Sequence, residues 1–161
     1  MILISACLLG KKCRFDGRGL EGPPAFHDWV EKGLALAICP EELGGLSIPR
    51  LPAELVGGDG KAVLLGRAKV LRSDGIDLTA AFLKGANEAL RLALASGAKT
   101  AILKAHSPSC GCRSIYDGSF EGVVVSGMGV TAALFAASGI AVFDEENREE
   151  IALAMRQKNE S

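Results

Sequence analysis

The stretch Thr100 to Arg113, TAILKAHSPSCGCR, decides how this chain is read. It opens with a short apolar run, Ala101-Ile102-Leu103, of the kind a buried strand carries. It then turns abruptly into His106-Ser107-Pro108-Ser109-Cys110-Gly111-Cys112. Hydroxyls, thiols, a Pro and a Gly in succession end a strand and build a poor core. They suit a loop that holds reactive groups at the rim of a sheet. The plainer alternative is a turn whose free cysteines pack as small hydrophobes.

Working outward, two more apolar runs end in the same way. Met1 to Ala6 reads as a strand that stops at Cys7, and Leu34 to Ile38 as one that stops at Cys39-Pro40-Glu41. Pro40 has no N–H for a ladder, so pairing ends there. Ile140 to Phe143 is a last short strand. Helical segments fall between these runs. Pro23 and Pro24 open one that Gly33 stops, with Trp29 packing it on the sheet. Asp77 or Thr79 caps another that runs to about Ser96, with Phe82, Ala86, Leu90, Ala93 and Leu94 on one face. Gly127 to Ser138 and Asp144 to Lys158 complete the set, the last with Arg156 and Lys158 at its basic end. Glu42 to Gly60 reads as a long loop and Ala62 to Arg72 as an edge strand or hairpin. Tyr116-Asp117-Gly118 is a turn ahead of Val123-Val124-Val125.

Strands alternating with helices predict an α/β fold: a single-domain, Rossmann-like, mostly parallel sheet with helices on both faces, across residues 1–161. Ligands of such sheets bind in the crevice beyond the carboxyl ends of the strands. Cys7, Cys39 and Cys110 each terminate a different predicted strand, so topology alone expects the three thiols to converge.

Composition narrows the function classes. The 161 residues are 48% hydrophobic and 23% charged, the balance of a folded globular chain, and the net charge is -1. No run approaches the roughly 20 apolar residues of a membrane helix. The first residues lack the charged start and the long apolar run of a secretory leader, so they read as a strand and the protein as cytoplasmic. There thiols stay reduced, and the five cysteines point to metal binding or catalysis ahead of disulfides. The absence of an overall basic field argues against a nucleic-acid partner.

Three thiolates facing one point make a soft site for zinc, copper(I) or an iron–sulfur cluster. A [4Fe–4S] cluster with three Cys ligands keeps one iron open to a soft donor, naturally sulfur. Zinc with three Cys and a water is the rival, and buried unliganded thiols the plain alternative. Cys13 and Cys112 sit at no predicted strand end and are expected to stay out of the ligand set. Glu41, two residues after Cys39, is expected beside any metal, where its carboxylate positions or deprotonates a water. Ser107 and Ser109 flank Pro108, ready to hydrogen-bond a substrate or a cluster sulfide, or simply to cap backbone groups. Asp16 has two readings, a partner for the guanidinium of Arg14 or Arg50 and a substrate contact. Gly127-Met128-Gly129 before a helix is a weak anion-binding signal.

Several stretches together resemble the thiouracil desulfidase family. They are Ser5-Ala6-Cys7-Leu8-Leu9-Gly10, Cys13-Arg14-Phe15-Asp16-Gly17, Cys39-Pro40-Glu41, Gly44-Gly45-Leu46, Pro49-Arg50, Ser107-Pro108-Ser109-Cys110-Gly111, Ile115-Tyr116-Asp117-Gly118, Gly129-Val130-Thr131-Ala132-Ala133-Leu134 and Val142-Phe143. They run in order along nearly the whole chain. Phe15 stands where the family usually has Tyr, and Met128 where it usually has Asp. The resemblance implies a [4Fe–4S] cluster held by Cys7, Cys39 and Cys110, with Glu41 and Ser107 assisting catalysis. It implies a non-redox reaction, thiouracil plus water giving uracil plus sulfide, with the substrate sulfur on the open iron. Asp16 and Ser109 are then expected to touch the substrate, a small thionucleobase. The other readings are a zinc- or cluster-binding sensor without turnover and the desulfidation of thiouridine in tRNA.

Overall fold

The structure, a computed structural model, describes residues 1–160, with side chains to residue 157. In chain order its elements are β1 (Ile2–Ser5), α1 (Pro24–Glu31), β2 (Ala35–Ile38), α2 (Pro40–Leu43), β3 (Ala53–Val56), α3 (Gly60–Leu64) and β4 (Lys69–Arg72). Then follow α4 (Thr79–Ala95), β5 (Thr100–Leu103), β6 (Ser114–Tyr116), β7 (Val124–Ser126), α5 (Val130–Ala137), β8 (Ala141–Asp144) and α6 (Arg148–Glu160). Lys158 lies outside the described side chains.

Four strands form one all-parallel sheet in the order β2-β1-β5-β8. This is the expected α/β architecture, and the alternation along each strand explains why both faces are covered. Leu3, Ala101 and Leu103 point into a core with Ala89, Ala93 and Phe135 from α4 and α5. Ile2, Ile4 and Ile102 point the other way, against Phe26 of α1 and Ile151 of α6, with Trp29 packed beside them. Each such buried aliphatic or aromatic side chain contributes about 1.5–3 kcal/mol. No helix among the described residues is long and apolar enough to cross a membrane.

Two readings of the chain need correction. The predicted loop Glu42 to Gly60 contains α2's last residues and the strand β3, and Ala62 to Arg72 is the end of α3 followed by β4. β3 and β4 pair antiparallel, Ala53 opposite Arg72, over a third core built from Leu55, Val70, Phe82 and Val130. Four-residue strands in a Gly- and Pro-rich stretch carry too little periodicity to announce themselves. The cap of α4 also differs in detail. Leu78 occupies the cap position, while the Asp77 carboxylate accepts the Thr79 N–H at 2.8 Å.

The strand order has a functional consequence. From β1 the chain moves to β2 on one side, then returns to β5 on the other. The crevice beyond β1 and β5 is therefore the switch point at which open parallel sheets bind ligands.

Candidate active site

β1 runs directly into a short helical turn, Ala6–Leu8, which carries Cys7. β2 ends at Cys39, and the loop after β5 leads to Cys110. The three thiols line one cavity of about 390 Å³ at the carboxyl edge of the sheet. Its wall also holds Ser5, Glu41, Arg50 and Ser107, with Phe15, Ile38 and Pro108 supplying apolar surface. The convergence expected from topology is what the fold delivers. The wall includes a fourth thiol, Cys13, which the sequence reading set aside. Cys39 Sγ lies 3.9 Å from the Cys13 carbonyl oxygen. Cys112 stands elsewhere, its Sγ 3.5 Å from Asp144 Oδ2.

Cys110 is held by the start of α5. Ser107 Oγ accepts the N–H groups of Ser109 and Cys110 at 3.1 and 3.0 Å. The Pro108 carbonyl accepts Val130 N–H at 2.9 Å, and the Ser109 carbonyl accepts those of Thr131 and Ala132 at 2.8 and 3.1 Å. Gly129 N–H donates to Gly111 O at 2.7 Å, in a contact so close that a Cβ on Gly129 would strike the Ser109 carbonyl. The first N–H groups of α5 are thus satisfied by the thiol loop itself. The anion-binding reading of Gly127-Met128-Gly129 is thereby removed, because no free donors remain there.

Cys39 and Glu41 are set by α2, which has Pro40 in its first turn. α2 lies on α4 with backbone against backbone at two glycines. A Cβ on Gly85 would collide with the Pro40 carbonyl, and one on Gly44 with the Ala81 carbonyl. Glu41 turns inward from α2 to meet Arg50, Nη2 to Oε2 at 2.8 Å. Arg50 is fixed in turn by Nη1 donating to Leu51 O at 2.8 Å, by its own N–H donating to Phe15 O at 2.7 Å, and by the Phe82 ring 5.7 Å away. Burial pushes the Glu41 carboxyl above its ordinary value, and the Arg50 guanidinium pulls it part of the way back.

The thiols are crowded and uncompensated. Burial pushes Cys110 up to about 12, with the Ser5 and Ser109 hydroxyls easing it. The Cys13 thiol beside it and its burial push Cys39 up further. For Cys13, the hydrogen bond with Cys39 acts downward, but contact with Cys7 and burial win and leave it at about 11. Left alone, these sulfurs keep their protons at neutral pH. A cationic soft centre would displace them, which is the behaviour of a metal-ligand set. Among the described residues no three His, Cys, Asp or Glu side chains come close enough to share one metal ion.

Two expected substrate contacts are not brought to the cavity. Asp16 is exposed and off the wall, its Oδ1 accepting Arg18 N–H at 3.0 Å, and Arg50 pairs with Glu41 in its place. Ser109 is buried, its hydroxyl 2.7 Å from that of Thr131. The Phe15 ring is on the wall without the hydroxyl a Tyr would bring, whereas Met128 is packed against the core away from it. Glu54 was missed: its buried Oε1 accepts Gly118 N–H at 2.9 Å and Phe120 N–H at 3.2 Å, fixing the turn that follows Tyr116. A lone acid inside the apolar run Ala53-Glu54-Leu55-Val56 was the available signal.

Comparison with known proteins agrees with this geometry. A family model described as 2-thiouracil desulfurase matches residues 2–147. The uncharacterized protein YbbK of Bacillus subtilis (strain 168) is 42% identical over 151 residues, covering 94% of this chain and 99% of that protein. A solved structure of the [4Fe-4S]-dependent thiouracil desulfidase TudS superposes with a TM-score of 0.86 at 44% identity, covering 97% of each chain.

Proposed function

Because this chain belongs to the 2-thiouracil desulfurase family, we propose that it is a [4Fe–4S]-dependent desulfidase. Its reaction is the non-redox conversion of a thiolated uracil and water to uracil and sulfide. The observation that carries this reading is the meeting of three strand-end thiols with a buried, Arg-paired carboxylate in one cavity.

Cys7, Cys39 and Cys110 would hold the cluster. A cluster with three protein ligands supplies one open iron, a Lewis acid for the thiocarbonyl sulfur. The rest falls to the chain. Phe15, Ile38 and Pro108 offer apolar walls for the pyrimidine ring and keep bulk water out. Glu41 Oε2 is held by Arg50, which leaves Oε1 to take a proton from the water that attacks the thiocarbonyl carbon. A carboxylate whose proton affinity is raised by burial is a better base for that step. Ser107 Oγ accepts two backbone N–H groups, so its own proton remains to be donated across the cavity. Asp16 and Ser109 have no part in this scheme.

The substrate is read as a free thionucleobase. A net charge of -1 offers no general attraction to RNA. Reduced thiols suit a cytoplasmic protein. The test is anaerobic reconstitution followed by incubation with 2- or 4-thiouracil, with uracil and sulfide measured in equal amounts. Full cluster occupancy without turnover of any thionucleobase would overturn the reading in favour of a sensor.

A further inference from the structure

The cavity wall holds a carboxylate that the proposed reaction does not use. Glu54 is the one acid in the apolar run of β3, and it is 9% exposed. Strand alternation explains its direction. Ala53 and Leu55 on either side belong to the third core, with Phe82 and Val130, so Glu54 faces the other way and lines the cavity with Glu41, Pro108 and Tyr116. Its two oxygens are unequally occupied. Oε1 accepts both Gly118 N–H at 2.9 Å and Phe120 N–H at 3.2 Å, while Oε2 accepts nothing within the described residues. Among those residues the sealed side-chain polar atom without a partner is Arg50 Nε alone, so Oε2 is open to the cavity that Glu54 lines. No cation among them pairs with it: Arg50 is engaged by Glu41 and Lys104 by Glu145, each at 2.8 Å. Fixing a turn requires only a neutral acceptor. A carboxylate with a spare oxygen in an apolar wall is unfavourable unless a hydrogen-bond donor comes to it.

We propose that Glu54 selects the uracil ring: its Oε2 accepts the N3–H of the thionucleobase. The inference rests on the desulfidase reading above and deepens it by naming what the site reads on the ring. In 2-thiouracil and 4-thiouracil alike, N3 carries a hydrogen and is bonded to the thiocarbonyl carbon. An acceptor for that N–H therefore serves both isomers and fixes the atom next to the reacting carbon. In 2-thiocytosine N3 has a lone pair and no hydrogen, so it would meet Oε2 lone pair to lone pair. A site built to accept a substrate N–H rejects the analogue that lacks it, because the buried acceptor is left unpaired.

The experiment measures kcat/KM for 2-thiouracil and 2-thiocytosine with anaerobically reconstituted wild type and Glu54→Gln, with iron counted in each. The Gln amide oxygen keeps the Gly118 and Phe120 N–H groups, which puts its NH2 where Oε2 was and turns an acceptor into a donor. Glu54→Gln should lose roughly 10- to 100-fold on 2-thiouracil, the contribution of a hydrogen bond to a charged group, and gain on 2-thiocytosine. If Glu54 only fixes the turn, both bases change by the same factor, and that result overturns the inference. Wild type alone gives a second test, which stands even if Glu54→Gln does not fold. It should turn over 1-methyl-2-thiouracil, which keeps N3–H, and reject 3-methyl-2-thiouracil, which has lost it. Equal turnover of the two methylated bases overturns the inference and leaves the desulfidase reading intact. A wild type with a full cluster that turns over no thionucleobase defeats that reading itself.

Discussion

Arg50 Nη2 stands 2.8 Å from Glu41 Oε2, and the two side chains are only 5% and 12% exposed. A charge pair this enclosed stabilises less than its geometry suggests, because both ions gave up water. Removing one partner is another matter, since it strands the other charge at a cost of about 3–5 kcal/mol. Arg50→Met is therefore expected to destabilise by that amount, and the double variant Glu41→Leu/Arg50→Met by clearly less than the sum of the singles. Urea unfolding of the cluster-free proteins measures this, and strictly additive losses would contradict a coupled pair. Glu41→Gln should retain its cluster but lose roughly 10²–10⁴-fold in thiouracil turnover, the usual contribution of a general base.

The close crossing of α2 on α4 gives a prediction whose sign opposes the general rule. In an open helix, Gly→Ala gains about 0.5–1 kcal/mol. At Gly85 the added methyl would collide with the Pro40 carbonyl, which is backbone and cannot swing aside. Overpacking of about 1–3 kcal/mol then outweighs the gain, for a net loss on the order of 1–2 kcal/mol. The melting temperature of the Gly85→Ala protein should fall by roughly 2–8 °C. Because the strain acts on the turn between Cys39 and Glu41, iron retention should fall with it. A more stable Gly85→Ala protein would mean that the helices are not in this contact.

Ser107 combines two roles that a substitution pair can separate. Its Oγ accepts the N–H groups of Ser109 and Cys110. Ser107→Ala leaves both donors without that partner, at about 1–3 kcal/mol for each one that stays buried. Ser107→Thr keeps the acceptor. Alanine is expected to lower both stability and iron content, and threonine to restore both. If alanine holds a full cluster at unchanged stability and loses only turnover, the hydroxyl is chemical and not architectural.

What could be read from the chain follows from what each residue type announces. The runs ending at Cys7, Cys39 and Cys110 were legible because buried parallel strands are uniformly apolar, so an abrupt change to thiol, Pro or Ser marks their ends. Topology then brought the three thiols together. Cys13 was not legible, because the rule finds groups at strand ends and Cys13 comes in on a loop. β3 escaped because four residues, one of them Glu54, show no usable period. The helix α2 left a signal that went unused: Pro40 with Glu41 and Glu42 behind it is the ordinary opening of a helix. Arg50 was flagged for Asp16, and nothing in sequence spacing distinguishes that carboxylate from Glu41.

Asp16 and Ser109 offer the sharpest contrast between a motif and its geometry. Both lie in stretches on which the family resemblance rests, yet neither lines the cavity. The Ser109 hydroxyl is 2.7 Å from Thr131 Oγ1, and both residues are sealed from solvent. Ser109→Ala orphans the threonine hydroxyl and should destabilise by about 1–3 kcal/mol, while Ser109→Ala/Thr131→Val removes both polar groups and should recover much of that loss. KM for thiouracil should remain unchanged in either variant that folds. Asp16→Asn, at an exposed turn, should leave stability within about 0.5 kcal/mol and KM unaltered. A tenfold rise in KM in Asp16→Asn would show that the loop carrying Cys13 closes over the substrate and brings this carboxylate with it.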